Sequence, residues 1–79
     1  MLQLKVVSPE KVMFDGTIES IVVPGTLGRF EILVDHAPII SSLAKGVVRL
    51  VKDNDEEVTF DIRGGVVKGQ QNDLLILVQ

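Results

Sequence analysis

The chain contains no cysteine, no tryptophan and no tyrosine. Without cysteine it can form neither a disulfide nor a thiolate metal site. Its aromatics are Phe14, Phe30 and Phe60, and its eight lysines and arginines face eleven acids, for a formal net charge of −3. Nucleic-acid binding draws on a basic footprint and, for single strands, on stacking aromatics. Both are missing, so no nucleic-acid partner is expected. No apolar run approaches the roughly 18 residues of a membrane-spanning helix. The opening Met1–Val7 lacks a basic region followed by a long apolar core, so it does not read as a signal peptide. The protein is expected to be soluble and cytoplasmic, reaching a membrane only through a partner.

Reactive chemistry is also scarce. Neither the P-loop pattern nor Gly-x-Gly-x-x-Gly occurs, so no phosphate cradle is expected. Gly25-Thr26-Leu27-Gly28 is a bare Gly-x-x-Gly and reads as a tight turn. The single histidine, His36, follows Asp35, but adjacent residues of an extended chain point apart and do not chelate together. Ser41 and Ser42 follow it at no spacing that supports a nucleophile and base in contact. The acids are scattered over expected turns and strand exteriors, unpaired for acid–base work. No catalytic, cofactor-binding or metal-binding residue is expected.

What the chain has is aliphatic bulk. Of its 79 residues 46% are hydrophobic, mostly Val, Ile and Leu, and β-branched side chains favour strands. Turn signals punctuate it at Ser8-Pro9, Asp15-Gly16, Pro24-Gly25, Asp35–Pro38, Lys45-Gly46, Asp53–Asp55, Gly64-Gly65 and Gln71–Asp73. Short strands with turns every eight to twelve residues or so indicate a sandwich or barrel. Leu2, Leu4 and Val6 alternate with Gln3 and Lys5, and Val58, Phe60 and Ile62 with Thr59, Asp61 and Arg63. These are strands with one wet face. Ile21–Val23, Val66-Val67 and Leu74–Val78 are apolar on both faces. They are either central strands covered by loops or part of an exterior patch that docks on a partner. Residues 53–57 read as a solvated hairpin loop. Residues alone thus give a small all-β domain, spanning 1–79, with an apolar surface.

Six motifs in register carry a family resemblance: Val6–Lys11, Phe14-Asp15-Gly16, Pro24–Phe30, His36–Ser41, Gly46–Arg49 and Gly64–Val67. Together the chain resembles the epsilon subunit of F-type ATP synthases, across essentially its whole length. The resemblance implies a β-sandwich of about ten strands and a non-catalytic rotor subunit of a proton-translocating synthase. Its partners would be the gamma subunit and the c-ring, within the complex with alpha and beta. The location implied is the cytoplasmic face of the bacterial plasma membrane, held there peripherally through the complex. By position, Arg29, Glu31 and His36 would approach the c-ring, and Ser8 and Ser41 would approach gamma.

Four differences from the family stand out. Glu31 replaces a usual glycine, and Val34-Asp35 replaces Pro-Gly before His-Ala-Pro. Gly69 stands where a larger residue is common, which suggests a strand bulge. The sequence stops at Gln79 where the family continues into two helices that restrain ATP hydrolysis, so coupling without such inhibition is expected.

Three other readings compete. A biotinyl or lipoyl carrier would present one lysine at a hairpin tip, for which Lys45 is the candidate, but the expected flanking residues are missing. A generic adaptor domain fits the composition and names no partner. A small enzyme lacks any convergence of polar groups.

Overall fold

The computed structural model describes residues 1–79. Eight strands follow one another: β1 (Leu2–Val7), β2 (Val12–Gly25), β3 (Gly28–Leu33), β4 (Ile39–Leu43), β5 (Gly46–Lys52), β6 (Glu57–Ile62), β7 (Gly65–Gln70) and β8 (Asp73–Val78). Their breaks fall at or beside turn signals, but Asp15-Gly16, also read as a turn, lies inside β2, where both residues pair with β1. The β2–β3 hairpin closes over Thr26-Leu27, with Gly28 at φ +131°. Gly64, between β6 and β7, and Gly65, which opens β7, lie at φ +148° and +156°, a region that side chains disfavour. At Gly65 a Cβ would also overlap the Leu77 carbonyl oxygen.

Strand β2 organises the rest. Its 14 residues hydrogen-bond to β1 through the first half and to β3 and β5 through the second. The last residue, Gly25, pairs with Leu43 of β4. Around the molecule the order β1-β8-β7-β4-β2 therefore closes on itself, because β2 also pairs with β1. One layer holds β3, the second half of β2, β5 and β6. The other holds the first half of β2, β1, β8, β7 and β4. The sequence suggested about ten strands; hydrogen bonding gives eight, because β2 serves both layers without a break. The chain's first and last strands run parallel, Gln3 opposite Asp73 through Val7 opposite Leu77.

A bulge lets β2 do this. Ile18 pairs with Lys52 and Ser20 with Val51, so Glu19 is an extra residue. An extra residue shifts side-chain alternation by one. Before it the even positions Phe14, Gly16 and Ile18 are turned inward; after it Ile21 and Val23 are fully buried. The two-faced run Ile21–Val23 is thereby resolved, with Val22 half-buried on the outer face.

Fifteen aliphatic residues make up the core, with every strand contributing at least one and no polar side chain buried. The three phenylalanines sit half-buried at its margin. The alternations of β1 and β6 hold: Leu2, Leu4, Val6 and Ile62 are buried, Val58 and Phe60 partly so. Gly69 makes no bulge, since β7 runs in unbroken register with both β4 and β8. Its missing side chain has a different cause, described below.

Deleting Glu19 should turn Ile21 and Val23 toward solvent. Each loses burial of about 1.5–3 kcal/mol, a large part of the few to ten or so kcal/mol available to a domain of this size. The deletion is expected to be unfolded at 25 °C by circular dichroism. Glu19→Ala, which keeps the residue count, should stay within about 0.5 kcal/mol of the parent in urea. A folded deletion variant would contradict the assigned phase shift.

Candidate docking surface

The two layers present different outer faces. On the β3-β2-β5-β6 side the outward residues are mixed. Val22 lies in register between Glu31 and Arg49, and Val47 is opposite Asp61. Arg49 and Glu57 approach to 4.0 Å, both more than half exposed, a pair worth little in stability.

The other face carries an apolar row. Ser42 pairs with Val66, Val66 with Leu77, Leu77 with Val7, and Val7 with Val12. Four strands thus place Val66, Leu77, Val7 and Val12 side by side, over about 14 Å at the usual strand spacing. Leu77 is 50% exposed, and Val12 and Val66 are also exposed. Met13 extends the row, because a second bulge leaves it as an extra residue opposite the Val6–Val7 step. The neighbouring row alternates in character: Ile40, Lys68, Leu75, Lys5 and Asp15. Ile40 is 75% exposed on β4. A contiguous apolar strip with a charged rim is the anatomy of a protein–protein contact.

Both ends of the row lead to β2. Val12 begins that strand, and Gly25, which ends it, pairs with Leu43 next to Ser42. The β2–β3 tip is tied in by Thr26, whose amide donates to the Ser42 carbonyl oxygen at 3.0 Å. Leu27 at that tip is fully exposed. Between β3 and β4 opens a cleft of about 350 Å³ lined by Leu27, Arg29, Phe30, Ile39 and Ser41, with Gly25 and Gly28.

The five residues singled out in the sequence do not form one cluster. Arg29 and Ser41 share the cleft, and the Arg29 guanidinium donates from Nη1 to the Val47 carbonyl oxygen at 2.7 Å. Glu31 is exposed on the same face of β3 as Arg29. His36 lies past the far end of β3, beyond about 13 Å of strand from Arg29 to Leu33. Its ring is turned inward, with Nε2 buried and unpartnered and Nδ1 at 2.8 Å from the Ala37 carbonyl oxygen. Ser8 follows Val7 at the end of the apolar row. Its hydroxyl accepts from the Lys11 amide at 3.2 Å and closes the turn between β1 and β2. The Ser41 hydroxyl donates to the Ser42 carbonyl oxygen.

Sequence reasoning marked Val66-Val67 and Leu74–Val78 as two-faced but did not separate wet from dry. Val66 and Leu77 are outward; Val67, Leu74, Ile76 and Val78 are core. Val7 and Val12 were missed, because they join the row only through pairing between strands distant in sequence. No helix is long and apolar enough to cross a membrane.

A family model described as the β-sandwich domain of the ATP synthase delta/epsilon chain matches residues 1–79. The chain is 38% identical over 76 residues to an ATP synthase epsilon chain of Chlorobaculum tepidum, covering 96% of this chain and 86% of that one. It is 37% identical over 76 residues to one from Leptospira interrogans, again covering 96% of this chain but only 59% of the relative. Among solved structures, it superimposes with a TM-score of 0.92 on a chain of the Euglena gracilis mitochondrial ATP synthase, in a structure of OSCP, F1 and c-ring. That match is 15% identical and covers 98% of this chain and 49% of the other. A chain of the Tetrahymena thermophila mitochondrial ATP synthase central stalk and c-ring gives 0.80 at 18% identity, covering 99% of this chain and 63% of its own.

The parity of β8 is testable without any partner. Leu77→Asp should change folding stability by no more than about 1 kcal/mol, because the site is already half in water. Ile76→Asp buries a charge in the core and should unfold the chain. Urea denaturation of the two variants decides; equal losses would mean the row is interior.

Proposed function

Because the chain belongs to the ATP synthase delta/epsilon family, we propose that it is a non-catalytic central-stalk subunit that joins gamma to the c-ring and couples ion-driven rotation to ATP synthesis. The observation that carries the reading is the Val66–Leu77–Val7–Val12 row. Aliphatic side chains aligned across four strands form a strip suited to a cover, and gamma is the cover proposed. Ser42 borders the Val66 end of that row and Ser8 follows Val7 in the turn toward Val12, whereas Ser41, opposite buried Val67, faces the other side of β4. The polar groups would set orientation at the rim while the aliphatic strip supplies affinity.

The c-ring is assigned to the β2–β3 tip. Leu27 is fully exposed there and Arg29 stands two residues on. Glu31 would lie at the margin of that contact. His36, at the opposite end of β3, receives a different role below. Rotation transmitted from ring to gamma would pass through the sandwich as a rigid body, with ATP made elsewhere in the complex. The proposed setting is the cytoplasmic face of the membrane, reached through the complex. These residues contain no helix, so the sandwich added in trans is proposed to restore coupling without arresting ATP hydrolysis through a helical arm.

Affinity capture of the tagged chain from its host's solubilised membranes should recover gamma with alpha, beta and c. Leu77→Asp is expected to lower gamma affinity at least about tenfold, near 1.4 kcal/mol. Leu33→Asp, equally exposed on the other layer's outer face, should bind as the parent does. Loss with Leu33→Asp alone, or no recovery of gamma from membranes containing assembled synthase, would overturn the reading.

A further inference from the structure

We infer that Gly69 is a seat for His36, and that this seat positions strand β4. His36 is then an internal anchor and not a contact residue. Gly69 is buried in mid-strand. It is not among the glycines of positive φ, so the backbone there does not require glycine. Space does. A Cβ would lie 2.5 Å from Leu74 Cδ2, 2.8 Å from His36 Cε1 and 3.0 Å from Ile39 Cγ2. The Leu74 methyl, the imidazole edge and the Ile39 methyl together occupy volume that a side chain at 69 would claim, so with these three in place only glycine fits.

The same loop is clipped a second time. Asp35 adopts φ 64°, a conformation of low population outside glycine, asparagine and aspartate. Its amide donates to Asn72 Oδ1 at 2.7 Å, and Asn72 Nδ2 donates to Asp35 Oδ1 at 3.0 Å. Asn72 is itself held, its carbonyl oxygen accepting from the Gln3 amide at 2.7 Å. Loop 34–38 is thus fixed to the β7–β8 turn by Asn72 and to β7 by the histidine on Gly69.

Strand β4 depends on this fixing. It pairs with β7 along one edge, but along the other it meets β2 at a single position, Gly25 with Leu43. Its start, Ile39, is therefore held only by its pairing with Gly69 and by the loop before it. The strand carries Ser42, which the proposed function puts at one end of the row beside gamma, so the docking consequence rests on that reading. The seat itself does not.

The test compares two ring replacements. His36→Phe keeps a planar ring over Gly69 and removes both nitrogens; His36→Ala empties the seat. Amide exchange is followed in the isolated chain, and affinity for purified gamma is measured alongside. In His36→Ala, exchange at the β4 amides that hydrogen-bond to β7 should rise about tenfold relative to β5 and β6. Gamma affinity should fall about fivefold, because a loosened β4 must be ordered on binding. In His36→Phe both should stay within about twofold of the parent, since shape and not hydrogen bonding holds the loop. Should His36→Ala fail to fold, Asn72→Ala releases the same loop from the other side and should give the same pattern. Unchanged β4 exchange in His36→Ala overturns the inference. So does a His36→Phe variant that loses gamma affinity while β4 exchange stays at the parental rate, the signature of a contact residue. If the parent itself fails to bind gamma, the proposed function falls, and the exchange comparison still decides the seat.

Discussion

The one-residue phase shift at Glu19 is the constraint on which this sandwich rests. A strand in strict alternation can serve one core-facing face; β2 must serve a second layer after leaving the first. Without the extra residue, its second half would direct Ser20 and Val22 inward and leave Ile21 and Val23 in water. Those two side chains represent about 3–6 kcal/mol of burial, comparable with the whole stability expected for 79 residues. The closed circuit of strands, the aliphatic core and the separation of the two outer faces all follow from that local irregularity.

Closure has a further consequence for the surface. Once both layers share β2, the core is complete, and Val66, Leu77, Val7 and Val12 have no inner place left to take. Exposed aliphatics carry a standing risk of self-association. Their alignment in one cross-strand row, with polar residues at its margins, is the arrangement that the proposed docking would cover. The opposite outer face, with acids and bases in register around Val22, shows that the fold does not itself demand an apolar exterior.

Much of this was legible in the sequence because it depends on local chemistry. Turn residues marked every strand break, period-two alternation gave the inner faces of β1 and β6, and six motifs in register gave the family. What could not be read were features set by pairing at a distance. The assignment of Val66 and Leu77 to the outside needs the register of β7 and β8. The recruitment of Val7 and Val12 needs the parallel β1–β8 pair and the Met13 bulge. The role of Gly69 was misread for the same reason: glycine in a strand suggests a bulge, but the space it leaves is used by a histidine 33 positions earlier in the chain. Positional resemblance likewise grouped Arg29 with His36, which the fold sends to opposite ends of β3.

The route that the proposed coupling would take through the sandwich is also built into β2. Its last residue leads into the Leu27 tip proposed to meet the ring, and its first, Val12, lies in the row proposed to meet gamma. One continuous backbone therefore links the two contacts. Along it the strand is hydrogen-bonded to β1, β3, β4 and β5, so a lateral load on the tip is shared by neighbours in both layers. A mobile connection would lose that load as motion of the linker, as flexible segments do. Docking completes the arrangement: a partner that binds only the folded sandwich adds its binding free energy to a marginal domain. Under the proposed docking, the row left exposed in the isolated chain would make the assembled piece more stable than its size alone allows.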